Sequence, residues 1–289
     1  MATRGIAAVS APFGRDLNAS LSHIGLATKI ARTRGADLVV FPECALGGYV
    51  DPAPGAPPPP ALTPDGPEIA ELARLAGPTV VCVGYTEADG DGGSYSSAVC
   101  VNGDGVLGHH RKVHLPPGEK GRFAEGGRFH AFDTPIGRLG MLICYDKCFP
   151  EAARTLARDG ADVVVSLSAW PISRTRPSRW IRRDRQTRAF NVIDQARAVE
   201  NQVVMVSANQ TGTLGGLRFL GNSKIVDAEG TVLASTGSRS GIAQAEVDLC
   251  ALPRLRESIS HLDDLRPTAY RPTESADDPS GISDPAPAI

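Results

Sequence analysis

A chain of 289 residues, 42% hydrophobic and 21% charged, has the size and composition of one large globular domain. Its formal net charge of −2 excludes a general nucleic-acid binder, which needs a basic surplus to displace phosphate counterions. Six cysteines (44, 82, 100, 144, 148 and 250) are scattered through apolar segments, without the dense spacing of a secreted disulfide scaffold.

The opening MATRGIAAVSAPFG has no long apolar leader core, and no stretch approaches the roughly 20 apolar residues of a membrane helix. A soluble, cytoplasmic protein with reduced thiols and no membrane contact is therefore expected. Residues 6–9 read as a short strand. Asp16 or Asn18 is placed to cap a helix carrying Leu17, Leu21, Ile24 and Ile30, with Gly35 as its stop. ADLVVFPE (36–43) then reads as a buried strand. DPAPGAPPPPALTPDGP (51–67) suits neither helix nor central strand, because proline removes donors and fixes φ; a long loop of this kind often acts as a lid or binding loop. Residues 68–76 look helical, and 79–87 and 96–105 look like strands, the second ending in an Asp-Gly turn.

Further along, RLGMLICYD (138–146) is a strand, after which Pro150 suits the first turn of a helix that Gly160 ends. ADVVVSLS (161–168) is another buried strand. Residues 180–201 are helical by pattern, with Ile181, Phe190, Val192, Ile193, Ala196 and Val199 turned to the core. QVVMVSAN (202–209) and SKIVDAEGTVLAS (223–235) return to strand and hairpin. RGADLVVF (34–41) and DGADVVVS (159–166) echo each other, which suggests two similar helix-then-strand halves within one α/β domain over residues 1–262. From Asp263 to the end, Pro, Ser and Asp dominate, as in a flexible tail or an arm laid across a partner chain.

The segment GMLICYDKCFPEAAR (140–154) carries two cysteines, Cys144 and Cys148. A zinc pair would need a second Cys/His pair of matching spacing, and His109, His110 and His114 do not supply one. A thioredoxin-type pair is one residue shorter. A phosphate-wrapping loop from Cys148 to Arg154 would contain Pro150, which has no N–H, and Glu151, which repels phosphate. Cys144 itself ends an apolar strand just before a helix start, where N–H groups favour a thiolate and an oxyanion. On position alone, a nucleophile and a core cysteine fit equally. Glu43 and Lys112 also stand at the ends of strands, with Glu119 seven residues after the lysine, and active sites of open α/β sheets gather at strand carboxyl ends.

FPECALGGY, HRKVHLPPGEKGRFAEGG and GMLICYDKCFPEAARTLARDGADVVVSLSAW together resemble the three signature blocks of the carbon–nitrogen hydrolase (nitrilase-like amidase) family. RAVENQVVMVSANQTG (197–212) and FLGNSKIVDAEGTVLAS (219–235) are similar to its downstream segments, in the family's order. The resemblance implies a single-domain α-β-β-α sandwich that pairs into a homodimer or larger homo-oligomer through its helices, without cofactor or metal. It implies a Glu–Lys–Cys triad on Glu43, Lys112 and Cys144, with Glu119 supporting the lysine and the Tyr145 backbone N–H sharing the oxyanion. Departures from the pattern are Ser10, where members often carry glutamine, and the proline-rich insertion at 51–64.

Cys-Tyr-Asp looks more like the amidase and carbamoylase members than like true nitrilases. The implied reaction is thioester-mediated hydrolysis of a small linear amide or N-carbamoyl compound. A nitrile substrate, acyl transfer to an amine, and a binding protein of lapsed chemistry are the alternatives. A Cys–His enzyme using His110 or His114 is a competing assignment. Tyr49, Phe123 and Trp170 are candidate pocket walls by proximity to the motifs. The arginine-rich 174–188 stretch reads mainly as a solvated or dimer-facing helix surface, with Arg174 and Arg176, before the helix, as the candidates for clamping a substrate carboxylate.

Overall fold

Alternation of side chains along the strands decides the layering, because successive residues face opposite sides of a sheet. The computed structural model describes residues 3–50, 53, 55–90 and 92–270. The first half runs β1 (Thr3–Ser10), α1 (Leu17–Thr33), β2 (Leu38–Val40), β3 (Ala61–Leu62), α2 (Pro67–Ala76), β4 (Val80–Ala88), β5 (Ser94–Asn102) and β6 (Gly105–Arg111). The second runs β7 (Ala131–Thr134), β8 (Gly137–Ile143), α3 (Pro150–Arg158), β9 (Val163–Ser168), α4 (Arg185–Asn201), β10 (Val204–Asn209), β11 (Thr213–Leu214), β12 (Leu217–Arg218), β13 (Lys224–Val226), β14 (Val232–Ser235), β15 (Gly241–Asp248) and α5 (Ala251–Ser258).

One sheet has the order β15-β1-β2-β4-β5-β6, with β3 beside β4; the other has the order β14-β13-β10-β9-β8-β7. Ile6, Leu38, Val80 and Ala98 from the first sheet meet Met141, Val165 and Val206 from the second in the central core. Their neighbours Ala7, Val39, Val81 and Val99 face Ile24 of α1 and Leu72 of α2. On the far side, Leu142, Val164 and Met205 pack on Leu156 of α3 and Ala198 of α4. This is the α-β-β-α sandwich that the family resemblance implies.

The echoed segments occupy equivalent places. Helix α1 turns at Gly35 (φ +88°) into β2, and α3 turns at Gly160 (φ +83°) into β9. Strand β2 lies parallel to β1, as β9 does to β8. Both glycines adopt the left-handed backbone that costs a side-chain-bearing residue most.

Two expectations need correction. The predicted 180–201 helix starts late: a 3₁₀ turn covers Ile181–Arg183, and Asp184 caps α4 by accepting the N–H of Gln186. Its buried face carries Phe190, Asp194, Arg197 and Ala198, whereas Val192 and Val199 face outward. Charged residues take the inner face because partners await them there, and apolarity alone could not reveal those partners. Strand β15, antiparallel to β1, was not anticipated; its half-exposed, mixed sequence hides an edge strand. Of the proposed tail, Pro267–Tyr270 forms a 3₁₀ turn, and residues from 271 onward lie outside the described residues, as do 51, 52 and 54 of the proline-rich loop. Among the described residues no helix is long and apolar enough to cross a membrane.

Candidate active site

The loops leaving β2, β6, β8 and β9 converge on one buried cluster of ionisable groups. Glu43 follows β2 after Phe41-Pro42, and Cys44 behind it has left-handed backbone at φ +50°. The loop lies directly on β4 at Gly84. A Cβ there would stand 2.5 Å from the Cys44 nitrogen and 2.7 Å from the Glu43 Cα, so only glycine admits it.

Lys112 leaves β6 and donates from Nζ to Glu43 Oε1 at 2.7 Å and to both Glu119 oxygens at 2.8 Å. Glu43 Oε1 also accepts from Ser96 Oγ, and its Oε2 accepts the Ala169 N–H at 2.9 Å. Tyr49 donates its hydroxyl to Glu119 Oε1. Glu43 and Lys112 are fully buried and Glu119 is nearly so. One ammonium between two carboxylates is the arrangement that lets three charged groups share such a place.

Cys144 begins the turn after β8 with φ +47°, in a 3₁₀ turn (Cys144–Cys148) that leads into α3. A cysteine in this backbone region is strained and persists only where its surroundings hold it. Asp146 supplies one hold: its Oδ2 accepts the Ile143 N–H at 3.1 Å, and its Oδ1 accepts the His114 N–H at 2.9 Å. The His110 and His114 rings bond the same carboxylate, at 3.2 and 3.0 Å. Both histidine rings thus share Asp146, while the side chain hydrogen-bonded to the Cys144 thiol is Glu43. Helix α4 supplies the other hold, with Arg197 donating to the carbonyls of Lys147 at 2.9 Å and Cys148 at 3.2 Å.

Burial pushes the Cys144 thiol well up, the Glu43 and Glu119 charges add to this, and Lys112 only partly offsets them. The thiol is therefore neutral at rest. Burial also raises Glu43, against the pull of Lys112, which makes it a stronger base than an ordinary glutamate. Burial disfavours the Lys112 ammonium, but Glu43 and Glu119 outweigh it and hold the group well above the usual lysine range. The site thus pairs an uncharged thiol with a basic carboxylate and a permanent cation.

Cys144 opens onto a cavity of about 410 Å³. Tyr49, Tyr145, Trp170 and Arg174 line it, as does Leu217 from β12. Phe123 does not: it is buried with Val50 and Leu115, because closeness in sequence to Glu119 does not turn a side chain the same way. Arg176 is also absent from the lining, and Arg185 is present instead. Arg185 is fixed by Ser173 Oγ at 3.0 Å and Thr175 Oγ1 at 2.9 Å. Gln186 accepts from Trp170 Nε1 at 2.9 Å. Asp184 organises this corner, accepting the N–H groups of Ser173, Ser178 and Gln186. Asp184 before RQTRAF is a capping signal that could have placed Arg185 and Gln186 on the first turn of α4. Among the described lining residues there is no carboxylate, and the charged groups are the two arginines. Among the described residues, no group of three His, Cys, Asp or Glu side chains is arranged to hold a metal ion.

A carbon-nitrogen hydrolase family model matches residues 5–257. A nitrilase of Pyrococcus abyssi is 35% identical over 82% of this chain and 86% of its own length. An (R)-stereoselective amidase of a Pseudomonas species is 32% identical over 88% of each chain. The crystal structure of a carbon-nitrogen hydrolase from Helicobacter pylori shares the fold, with a TM-score of 0.80 at 24% identity, covering 93% of this chain and 97% of that one.

Proposed function

Because the chain belongs to the carbon–nitrogen hydrolase family, we propose that it hydrolyses the C–N bond of a small linear amide or N-carbamoyl compound, with Cys144 as nucleophile. The observation that carries this reading is the fully buried Lys112, bridging Glu43 and Glu119 beside a strained cysteine that opens onto a cavity.

Glu43 takes the thiol proton as Cys144 Sγ attacks the carbonyl carbon. Negative charge develops on the carbonyl oxygen, where the Lys112 ammonium and the Tyr145 N–H receive it. Each such donor contributes about 3–4 kcal/mol in comparable sites. The proton on Glu43 passes to the nitrogen, the C–N bond breaks, and the amine or ammonia leaves a thioester on Cys144. Glu43 then takes a proton from water, whose oxygen attacks the thioester carbon. Collapse releases the acid and returns the proton to the sulfur.

The cavity narrows the substrate class. Tyr49, Tyr145, Trp170 and Leu217 suit an apolar chain, and Arg174 and Arg185 suit an anionic group at its far end. Ammonia release from a panel pairing each amide with its carboxylate-bearing analogue tests this. The carboxylate-bearing members should be preferred, and Arg185→Ala should raise their KM about 10-fold or more while barely changing the neutral ones. Equal KM changes for both sets would contradict the anionic-end assignment. A small nitrile is the second substrate reading, favoured by the Pyrococcus abyssi relative named a nitrilase. Nitrile turnover exceeding that of the matched amide would select it.

A further inference from the structure

Behind the cavity, three ionisable side chains that the proposed reaction does not use are sealed in the core. Lys147, on the turn that begins with Cys144, donates from Nζ to Asp194 Oδ1 of α4 at 2.6 Å and to Ser207 Oγ of β10 at 3.2 Å. The other Asp194 oxygen accepts from Lys224 Nζ of β13 at 2.6 Å. Lys147 and Asp194 are fully buried and Lys224 is 3% exposed. Both ammonium groups also lie over the Phe190 ring, at 3.2 and 4.2 Å from its centroid. Phe190 packs edge-on against Trp170, a wall of the cavity, and Lys147 itself lies 5.4 Å from the Trp170 ring centre.

Two cations sharing one anion leave a net positive charge in the core, a costly arrangement where apolar side chains of similar volume would pack as well. Such clusters are best explained by register, since buried charges tolerate only the geometry that pairs them. We propose that Lys147, Asp194 and Lys224 form a positioning device that fixes the Cys144 turn and the Trp170 wall relative to α4. This rests on the reading of Cys144 as nucleophile. Lys147 is the member through which the device acts, because it alone belongs to the nucleophile's turn. Losing its contact leaves Arg197 of α4 holding that turn through two backbone carbonyls.

The device carries a pH dependence. Lys147 faces Asp194 and Arg197 from α4, Lys224 from β13, Ser207 from β10, and Cys144, Asp146 and Cys148 on its own turn. Burial and then the Lys224 charge lower Lys147, Asp194 only partly restores it, and it settles at about 8. Above that pH Lys147 is neutral, and its ion pair with Asp194 is lost.

The test compares wild type, Lys147→Met and the uncharged triple variant Lys147→Met/Asp194→Leu/Lys224→Met. It reads kcat and KM from pH 6 to 10, thermal unfolding, and iodoacetamide labelling of Cys144. Wild-type kcat should fall as pH rises through about 8. Lys147→Met should lower kcat about 10- to 100-fold at neutral pH, with KM within about 2-fold, and lose that alkaline limb. The triple variant leaves no orphaned charge, keeps the fold testable, and should remain as slow as the single one. Wild-type kcat with an unchanged alkaline limb in either variant would overturn the proposal. If wild-type activity survives complete labelling of Cys144, the nucleophile reading fails and takes this inference with it. If labelling abolishes activity but Lys147→Met leaves kcat and its pH profile intact, the positioning role alone is wrong.

Discussion

Cys144→Ala should lower kcat/KM for amide hydrolysis by about 10⁴-fold or more while leaving the thermal unfolding temperature almost unchanged. The size follows from the loss of the covalent route: without the thiol, Glu43 and Lys112 have no nucleophile that they are positioned to serve. The small effect on stability follows from the setting. Cys144 is strained at φ +47°, and alanine at the same backbone removes only a sulfur that faces a cavity. Cys148→Ala is the internal control. That residue is half-buried, does not line the cavity, and should keep its rate within about 3-fold. Steady-state ammonia release and a melting curve on the two variants measure both quantities.

Lys112→Ala should be nearly as damaging to rate and far more so to stability. The ammonium makes three bonds of 2.7–2.8 Å to Glu43 and Glu119, all inside the core. Removing it leaves two buried carboxylates facing one another, and breaking such a pair from one side costs about 3–5 kcal/mol. One carboxylate then takes up a proton. If that is Glu43, the base is gone as well as an oxyanion donor, and kcat should fall by about 10³-fold or more. His114→Ala should keep most of the turnover, because its ring holds Asp146 and stacks on the Phe149 ring rather than on the reacting groups. Denaturant unfolding and initial rates separate the two lysine effects. A lysine variant with near-normal turnover would dismiss the Glu–Lys–Cys assignment.

Much of this was legible in the sequence because strands announce themselves and ends of strands are informative. ADLVVFPE and RLGMLICYD are apolar runs that stop at Glu43 and Cys144, and the structure brings those two stops and Lys112 to one place. The repeated helix-then-strand echo suggested two similar halves, and its strands β2 and β9 do take equivalent places, parallel to β1 and β8. What the sequence hid were relations across elements. Arg185 lines the cavity while Arg176 does not, since Ser173, Thr175 and Asp184 set which way that corner turns. Phe123 was misplaced by treating sequence proximity as shared direction. Asp194 and Arg197 sit on the buried face of α4 while Val192 and Val199 sit outside, the reverse of what hydrophobic periodicity implies. Their partners, Lys147, Lys224 and two turn carbonyls, come from elements far along the chain. Periodicity within one helix contains no information about them.

A covalent acyl-enzyme is the central claim, and rapid acid quench of the working enzyme followed by peptide mass spectrometry examines it most directly. During turnover of a reactive amide, the peptide containing GMLICYDKCFPEAAR should gain the mass of the acyl group. Fragmentation should place the added mass on Cys144, and hydroxylamine should remove it, as expected of a thioester. An acyl group on Cys148, or sustained turnover with Cys144 never modified, would contradict the account.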